Sequence, residues 1–163
     1  MSQYITVRRA DYASAADAAA LVRLLDAYAS DPAGGGEPLS DFAKLNLVPS
    51  LAARPTAFSI LAFDGALPVG LVNCIEGFST FACQPLVNVH DVAVLASHRG
   101  RRIAEQMLAL AEQIARERGA CKLTLEVLSG NLGARKLYER IGFAGYQLDP
   151  AMGQAQFMQK WLG

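Results

Sequence analysis

The chain of 163 residues is 52% hydrophobic and 18% charged, which excludes a disordered protein and suits one globular domain with its own core. Fifteen basic and fifteen acidic residues cancel, so a basic protein that coats nucleic acid is excluded and any basic site must be local. The three cysteines form no CxxC pair, so we expect no metal and no disulfide framework, as in a reducing compartment.

The start of the chain and its hydropathy bear on its location. The N-terminal segment MSQYITVRR lacks the apolar stretch of a secretory signal peptide. No run reaches the roughly 18 apolar residues that a membrane span needs. We therefore expect a soluble cytoplasmic protein with no membrane partner.

The first half of the chain predicts a strand, two helices and three more strands. Ser14 should cap the first helix, with Asp17 as its capping-box partner. The glycine-rich segment 31–38 then follows, either as a flexible loop or as backbone that another group approaches closely. Pro49 is expected to kink the second helix or to divide it in two. The predicted bounds are about 4–8, 14–28, 40–53, 56–64, 67–77 and 86–95.

The second half predicts a long helix, a strand, a shorter helix and two last strands. The long helix should run from Gly100 to Arg118, and the shorter one from Asn131 to Gly142. Helical spacing gives each of them an apolar stripe. The stripes are Ile103, Met107, Leu110 and Ile114 in the long helix, and Ala134, Leu137, Tyr138 and Ile141 in the shorter one. The strands are expected at 121–127, 143–147 and 156–162.

These elements follow the order βααβββαβαββ and predict an α/β (α+β) fold. One mixed, largely antiparallel sheet with helices on both faces is the natural packing. The strands at 86–95 and 121–127 are joined by a helix, so they should be parallel neighbours with a right-handed crossover. The chain contains no internal repeat or linker, so residues 1–163 should form a single domain.

The segment Ser97–Ala104, SHRGRRIA, places a glycine among three arginines at the predicted start of the long helix. A helix N-terminus has unpaired N–H groups and about half a positive charge, so it attracts anions. The helix dipole disfavours arginines at this end, and their presence favours a phosphate or pyrophosphate ligand. The alternative is a solvated, charged helix start without a ligand.

Two motifs resemble those of one enzyme superfamily. The segment 99–104, RGRRIA, resembles the Q/R-x-x-G-x-G/A signature of the GNAT N-acetyltransferases, except that Arg102 replaces the middle glycine. The segment 131–143, N-x-x-A-x-x-L-Y-x-x-x-G-F, is similar to the second common pattern of the superfamily. The resemblance covers nearly the whole chain and is clearest from Asn88 to Phe143.

The resemblance implies a GNAT-like sheet whose central parallel strands splay apart, with acetyl-CoA bound in the gap. The pyrophosphate would rest on the start of the long helix, and the pantetheine arm would lie along the strand at 86–95. The residues implied in binding acetyl-CoA are Val92, Val94, Arg99, Gly100, Arg101, Arg102, Ile103, Ala104, Asn131 and Ala134. Asn131 would also cap its helix.

The implied reaction transfers the acetyl group directly to an amine, and it needs a base for the ammonium and an acid for the departing thiolate. Tyr138 lies where the family usually keeps that acid. A phenol with a pKa of about 10 stays protonated at pH 7. The alternative is that Tyr138 is simply a core residue of its helix.

The base is open between several groups. Alternation places His90 on the same face of its strand as Asn88, and Asp91 on the other face. His90 titrates in a suitable range, and the alternative is a hydrogen-bonded structural histidine. Glu126, acting through water, is the second candidate. The residues expected to contact the acceptor are Glu76, Phe78 and Asn88.

Two other classes of function compete with an acetyltransferase. A GNAT-like module that binds acyl-CoA without turnover would need no phenol at Tyr138. A nucleic-acid binder would use the arginines of 99–102, but the near-zero net charge opposes it. For an enzyme, we expect a small-molecule primary amine as acceptor. An amine of a protein or peptide is the alternative, and a homodimer is an option.

Overall fold

The computed structural model describes residues 4–163, which form two compact units, one ending at Leu125 and one comprising Glu126–Gly163. The elements of the first unit are β1 (Ile5–Arg9), α1 (Ala15–Ser30), α2 (Asp41–Ala52), β2 (Ala57–Asp64), β3 (Leu67–Ser79), β4 (Gln84–Val94), α3 (Ile103–Glu117) and β5 (Leu123–Leu125). The second unit contains α4 (Leu132–Arg140). The strands form one sheet in the order β1-β2-β3-β4-β5. All neighbours are antiparallel except β4 and β5, which confirms the expected fold class. The single domain stays a prediction.

The two faces of the sheet are covered by different helices. On the α1 face, Leu61, Leu71 and Ala93 belong to a buried cluster with apolar residues of α1 and α2. On the opposite α3 face, a Cβ added to Gly70 would lie 2.8 Å from Cε of Met107. The glycine therefore allows α3 to pack closely against β3.

Ser14 caps α1 as expected, because its Oγ accepts the N–H of Asp17 at 3.3 Å. The buried carboxylate of Asp17 does not accept the N–H of Ser14, as a capping box would require; that N–H donates to the carbonyl of Asp11. The carboxylate accepts two hydrogen bonds of 2.7 Å from Arg8 and one of 2.8 Å from the N–H of Asp11. The capping-box prediction is therefore right for Ser14 and wrong for Asp17, since a charged guanidinium is the stronger partner.

The glycine-rich segment forms a defined turn. Pro32–Gly34 is a short 3₁₀ helix that Asp31 caps through the N–H of Ala33. A Cβ added to Gly34 would lie 2.0 Å from the carbonyl oxygen of Tyr28, so this backbone is indeed closely approached. α2 is one helix that contains Pro49. The proline removes a single i→i−4 hydrogen bond and the helix continues past it to Ala52, so a division into two helices is wrong.

The buried stripe of α3 is broader than predicted. Its members are Ile103, Met107, Leu108, Ala111, Ile114 and Ala115. Leu110, which was expected among them, is only half-buried. The helix begins at Ile103 rather than Gly100, because Gly100 has a φ of 78°, outside the right-handed helical range.

The C-terminal segment differs most from the sequence prediction. Within residues 126–163 the structure has no strand, so the strands predicted at 143–147 and 156–162 are wrong. The N–H of Ala155 bonds the carbonyl of Tyr146 at 3.5 Å, but a strand pair needs a repeated ladder of such bonds. β5 is likewise shorter than the predicted 121–127.

Candidate active site

β4 loses its neighbour part of the way along. β5 pairs with it only over Val87–Val89, whereas β3 accompanies β4 on its other edge to Val94. The edge of residues 90–94 therefore has no β5 partner, in agreement with the expected splay. Val92 and Val94, predicted to bind acetyl-CoA, lie in this stretch, which pairs with β3 on one edge and not with β5 on the other.

A β-bulge at His90 divides β4 into two halves. β3 advances by one residue where β4 advances from Val89 to Asp91, so His90 is an extra residue in the ladder. Alternation predicted that Asp91 would point away from Asn88. The extra residue reverses the alternation, and the register puts Asp91 and Asn88 on the same α1 face. That prediction is wrong because it assumed an unbroken ladder.

Asn88 links β5 to His90. Its Nδ2 donates to Oγ1 of Thr124 at 2.9 Å, and its Oδ1 is hydrogen-bonded to Nδ1 of His90. Because an amide oxygen only accepts, Nδ1 of His90 carries a hydrogen, and in the neutral imidazole the lone pair is then on Nε2. His90 is exposed. The imidazole thus has the tautomer that a base acting through Nε2 requires.

The turn before α3 presents backbone N–H groups. Gly100 and Arg102 both have a positive φ, 78° and 57°. Arg102 precedes a first helical turn that no side chain among the described residues caps. Arg102 adopts the left-handed conformation that a glycine favours. The chain thus has at this position a backbone conformation that suits glycine, with a guanidinium in place of the glycine.

The arginines on either side of Gly100 each have a carboxylate partner. Arg99 donates to Oδ2 of Asp31 at 3.2 Å. Arg101 donates to Oδ2 of Asp64 at 2.8 Å, and Nε2 of His98 lies 3.3 Å from the same oxygen. Oδ1 of Asp64 is buried without a hydrogen-bond partner among residues 4–163. A ligand that recruits either arginine would replace one of these carboxylates.

The second unit carries the predicted acid. Asn131 caps α4 by accepting the N–H of Ala134 at 3.3 Å, as expected. Tyr138 is half-buried, on the side of α4 that also carries Ala134. Its ring meets Phe143 edge to face, with centroids 5.9 Å apart and planes at 66°, and this contact orients the phenol.

Three other predicted residues have different surroundings. Glu76 lies on the α3 face, opposite to Asn88, and accepts a 2.9 Å hydrogen bond from Nη1 of Arg118. Phe78 is exposed near the end of β3, and Glu126 is exposed directly after β5. Their roles stay predictions, but the charge of Glu76 already has a partner within the chain.

A row of polar residues on the α1 face was missed by the sequence analysis. Oγ of Ser59 donates to Oδ1 of Asn73 at 2.6 Å, and Nδ2 of Asn73 donates to Oδ2 of Asp91 at 3.0 Å. The hydroxyl of Tyr12 lies 2.8 Å from Oγ of Ser59. The signal in the sequence was a polar residue inside two apolar strands, where burial demands a hydrogen-bond partner. Only the strand register shows that these partners are one another.

Within the described residues 4–163, none of the helices is long and apolar enough to span a bilayer. No group of three or more His, Cys, Asp or Glu side chains in this range could hold a metal ion.

Solved structures share this fold. The ribosomal-protein-alanine N-acetyltransferase from Brucella melitensis biovar Abortus 2308 superposes with a TM-score of 0.73 at 20% identity, over 97% of this chain and 100% of that chain. An aminoglycoside acetyltransferase from an uncultured soil metagenomic sample gives a TM-score of 0.76 at 16% identity, over 98% of this chain and 99% of that chain. At these identities the likeness concerns the fold alone.

Sequence comparison extends the likeness. Streptothricin acetyltransferase of Streptomyces lavendulae is 37% identical over 89 residues, which are 53% of this chain and 47% of that protein. The chain thus matches less than half the length of this and the other curated relatives. The sequence profile of the Acetyltransferase (GNAT) family matches residues 20–143. The profile includes the splayed strands, the turn before α3 and the helix of Tyr138, and the chain belongs to the GNAT family of acetyltransferases.

Proposed function

We propose that this protein transfers an acetyl group from acetyl-CoA to the primary amine of a small molecule, with both compact units acting as one domain. The run from β4 to α3 carries the proposal. A strand edge without a β5 partner at 90–94 leads into a turn with two left-handed residues and a helix start that no side chain caps. The family profile extends from one unit into the other, which supports a single functional domain.

The residues of this run suit a ligand built like acetyl-CoA. The edge of β4 at Val92 and Val94 offers backbone N–H and C=O groups to an amide-bearing arm, as an added strand would use them. The helix start at Ile103 and Ala104 offers N–H donors to a pyrophosphate. The arginines of 99–102 add positive charge, and Arg99 and Arg101 would exchange their carboxylate partners for phosphate oxygens.

Two side chains are proposed to move protons. Bound acetyl-CoA would supply a thioester that a neutral amine can attack directly. Nε2 of His90 would take the proton that the attacking nitrogen loses, while Nδ1 stays bonded to Asn88. Tyr138 would give its phenolic proton to the departing sulfur. His90 gains one proton and Tyr138 loses one in each turnover. Proton exchange with solvent then restores both side chains. Glu126, acting through water, is the alternative base.

The acceptor is proposed to be a small amine. The streptothricin and aminoglycoside acetyltransferases named above carry small-molecule acceptors in their names. An amine of a protein or peptide is the second candidate, favoured by the fold shared with the ribosomal-protein-alanine N-acetyltransferase. The curated streptothricin relative has the higher identity, which favours the first candidate.

A panel of amines tests the proposal. Thiol release from acetyl-CoA is measured with small mono- and polyamines and with peptides that have free N-termini, and acetylated products are weighed by mass spectrometry. We expect at least one small amine to give a product heavier by one acetyl group. Acetyl-CoA binding by calorimetry without turnover of any amine would identify a non-catalytic module. Turnover of peptides alone would favour the second candidate.

A further inference from the structure

The buried polar row on the α1 face has a fixed direction. The single hydrogen of Ser59 goes to Oδ1 of Asn73, which can only accept, so the hydroxyl of Tyr12 must donate to Ser59. The amide hydrogens of Asn73 are then directed at Asp91. Three donors in sequence thus end on one carboxylate oxygen, and Ser59 and Asn73 are only 0% and 5% exposed. Polar groups buried so deeply hold a defined geometry.

Asp91 differs from the other carboxylates near the turn before α3. Asp31 and Asp64 bind arginines of this chain, whereas Asp91 is half-buried and has no basic partner among residues 4–163. Within residues 4–163, the side chain of Asp91 accepts one side-chain hydrogen bond, from Nδ2 of Asn73. A partly desolvated carboxylate without a counter-ion is costly, and a cationic ligand would offset that cost.

The position of Asp91 points the same way. It follows the bulge at His90, just beyond the last residue of β4 that pairs with β5. Its charge also reaches α1, because Asp91 and Asp31 add to burial in raising the pKa of Tyr28. The carboxylate therefore lies on the α1 face, close along the strand to the proposed base.

We propose that Asp91 is a specificity-determining residue that holds a second ammonium group of the acceptor, so that diamines and polyamines are preferred to monoamines. Tyr12, Ser59 and Asn73 are positioning residues that fix its carboxylate. This inference rests on the proposed function, since it concerns the acceptor site of the same reaction.

The test compares two probes of equal length, 1,4-diaminobutane and 4-aminobutan-1-ol, which differ in one ammonium group. The measured quantity is the ratio of their kcat/KM values, which is independent of the folded fraction of a preparation. The wild type should prefer the diamine by about ten-fold or more, the factor that one charge-assisted hydrogen bond supplies. Asp91→Asn should bring the ratio down to about two, the statistical factor for a probe with two equivalent amines, with the affinity for acetyl-CoA unchanged.

The positioning residues are tested by the same ratio. Ser59→Ala interrupts the row and should lower the preference for the diamine, while Ser59→Thr keeps a hydroxyl and should retain it. Tyr12→Phe removes only the first donor and is a milder interruption. Cys74→Ala is the matched control, because Cys74 is buried on the α3 face of β3, the strand that carries Asn73 on its α1 face. It should lower stability and leave the ratio unchanged.

The outcomes separate the two proposals. If the wild type acetylates both probes equally, or if Asp91→Asn keeps the preference, the inference is overturned and the proposed function stands. If Ser59→Ala and Ser59→Thr behave alike, the positioning role is overturned. If the wild type binds acetyl-CoA but acetylates no amine at all, the proposed function fails and this inference fails with it.

Discussion

Arg101 and Asp64 form an ion pair of 2.8 Å in which the carboxylate is only 8% exposed. Arg99, two residues earlier, pairs with Asp31 at the surface, where 58% of its own side chain is exposed. An exposed ion pair contributes little to stability, whereas a buried carboxylate that loses its partner is costly. The two arginines of one motif therefore differ in what they do for the fold.

The first prediction separates these effects. Arg99→Gln should weaken acetyl-CoA binding by about ten-fold, since one charge-assisted hydrogen bond is lost, and should change the free energy of unfolding by less than about 0.5 kcal/mol. Arg101→Gln should weaken binding and also destabilise the fold by about 1–3 kcal/mol, because Asp64 keeps only His98 as a basic neighbour. Calorimetry measures the affinity for acetyl-CoA, and urea denaturation measures the free energy of unfolding. Unchanged affinity in both variants would remove the arginines from the proposed phosphate site.

The second prediction concerns the left-handed residue before α3. Arg102→Gly and Arg102→Ala remove the same charge, so their affinities for acetyl-CoA should agree. They differ in the backbone, because alanine keeps the strain of a φ of 57° and glycine relieves it. The left-handed strain of roughly 1–2 kcal/mol should outweigh the greater unfolded-state entropy of glycine. In urea denaturation the glycine variant should be the more stable one, and an equal or lower stability would show that this strain is absent.

The third prediction concerns Tyr138. Tyr138→Phe removes the hydroxyl and keeps the edge-to-face contact with Phe143, so stability should change little. A general acid contributes about 10²–10⁴-fold, and kcat should fall by that range while the affinity for acetyl-CoA is kept. Phe143→Leu is the control for packing. Its free energy of unfolding should fall by more than its activation free energy for kcat rises. A normal kcat in Tyr138→Phe, under conditions in which chemistry limits turnover, would assign Tyr138 to the core.

The fourth prediction compares pH profiles of wild type and His90→Gln. A neutral imidazole is needed to accept the proton, so the wild-type pH profile should contain a rising limb that depends on His90. The variant should lose this limb and recover only where the amine deprotonates unaided. Asn88→Ala is a useful third protein, because it removes the hydrogen bond to Nδ1 of His90. Its rate on the rising limb should be lower than that of the wild type, but the limb should remain. If the wild type and His90→Gln keep the same limb and differ by less than about three-fold, roughly 0.65 kcal/mol, His90 is structural and Glu126 becomes the base to test.

The fifth prediction concerns acid stability. The two hydrogen bonds from Arg8 are the main cause that lowers the pKa of Asp17. A carboxyl group whose pKa is lower in the folded state stabilises the protein above its unfolded pKa of about 3.9, and this contribution is lost as the pH falls through the lowered value. Asp17→Asn should therefore be less stable at pH 7 by about 1.5–3 kcal/mol, and the difference should shrink below about pH 4. Asp41→Asn, an exposed change in the first turn of α2, is the control, and its loss of stability at pH 7 should be smaller, about 0.3–1 kcal/mol, as for a surface charge near a helix N-terminus.

The periodic elements could be predicted from the sequence, and so could the motif positions. Asn131 as a helix cap and the stripe of α4 depend on local spacing alone, and both agree with the structure. The face of Asp91 could not be predicted, because it depends on a register that β3 imposes on β4. The partners of Asp17 and Ser59 also lie on other elements. Arg8 of β1 binds Asp17 of α1, and Asn73 of β3 binds Ser59 of β2. Local patterns carry no information on such pairings.

The bulge at His90 has a consequence for mutational scanning and for the alignment of relatives. Before it, odd-numbered residues of β4 are on the α3 face, and after it they are on the α1 face, as the register of Val87 and Ala93 shows. Deleting His90 would remove the extra residue, make Val89 and Asp91 neighbours in a regular ladder, and leave Asp91 and Ala93 on the α1 face that they now occupy. A gap of one residue at this point therefore keeps the faces of both halves of β4, whereas an alignment without the gap exchanges the faces on one side. Relatives with and without the extra residue should be aligned separately on its two sides.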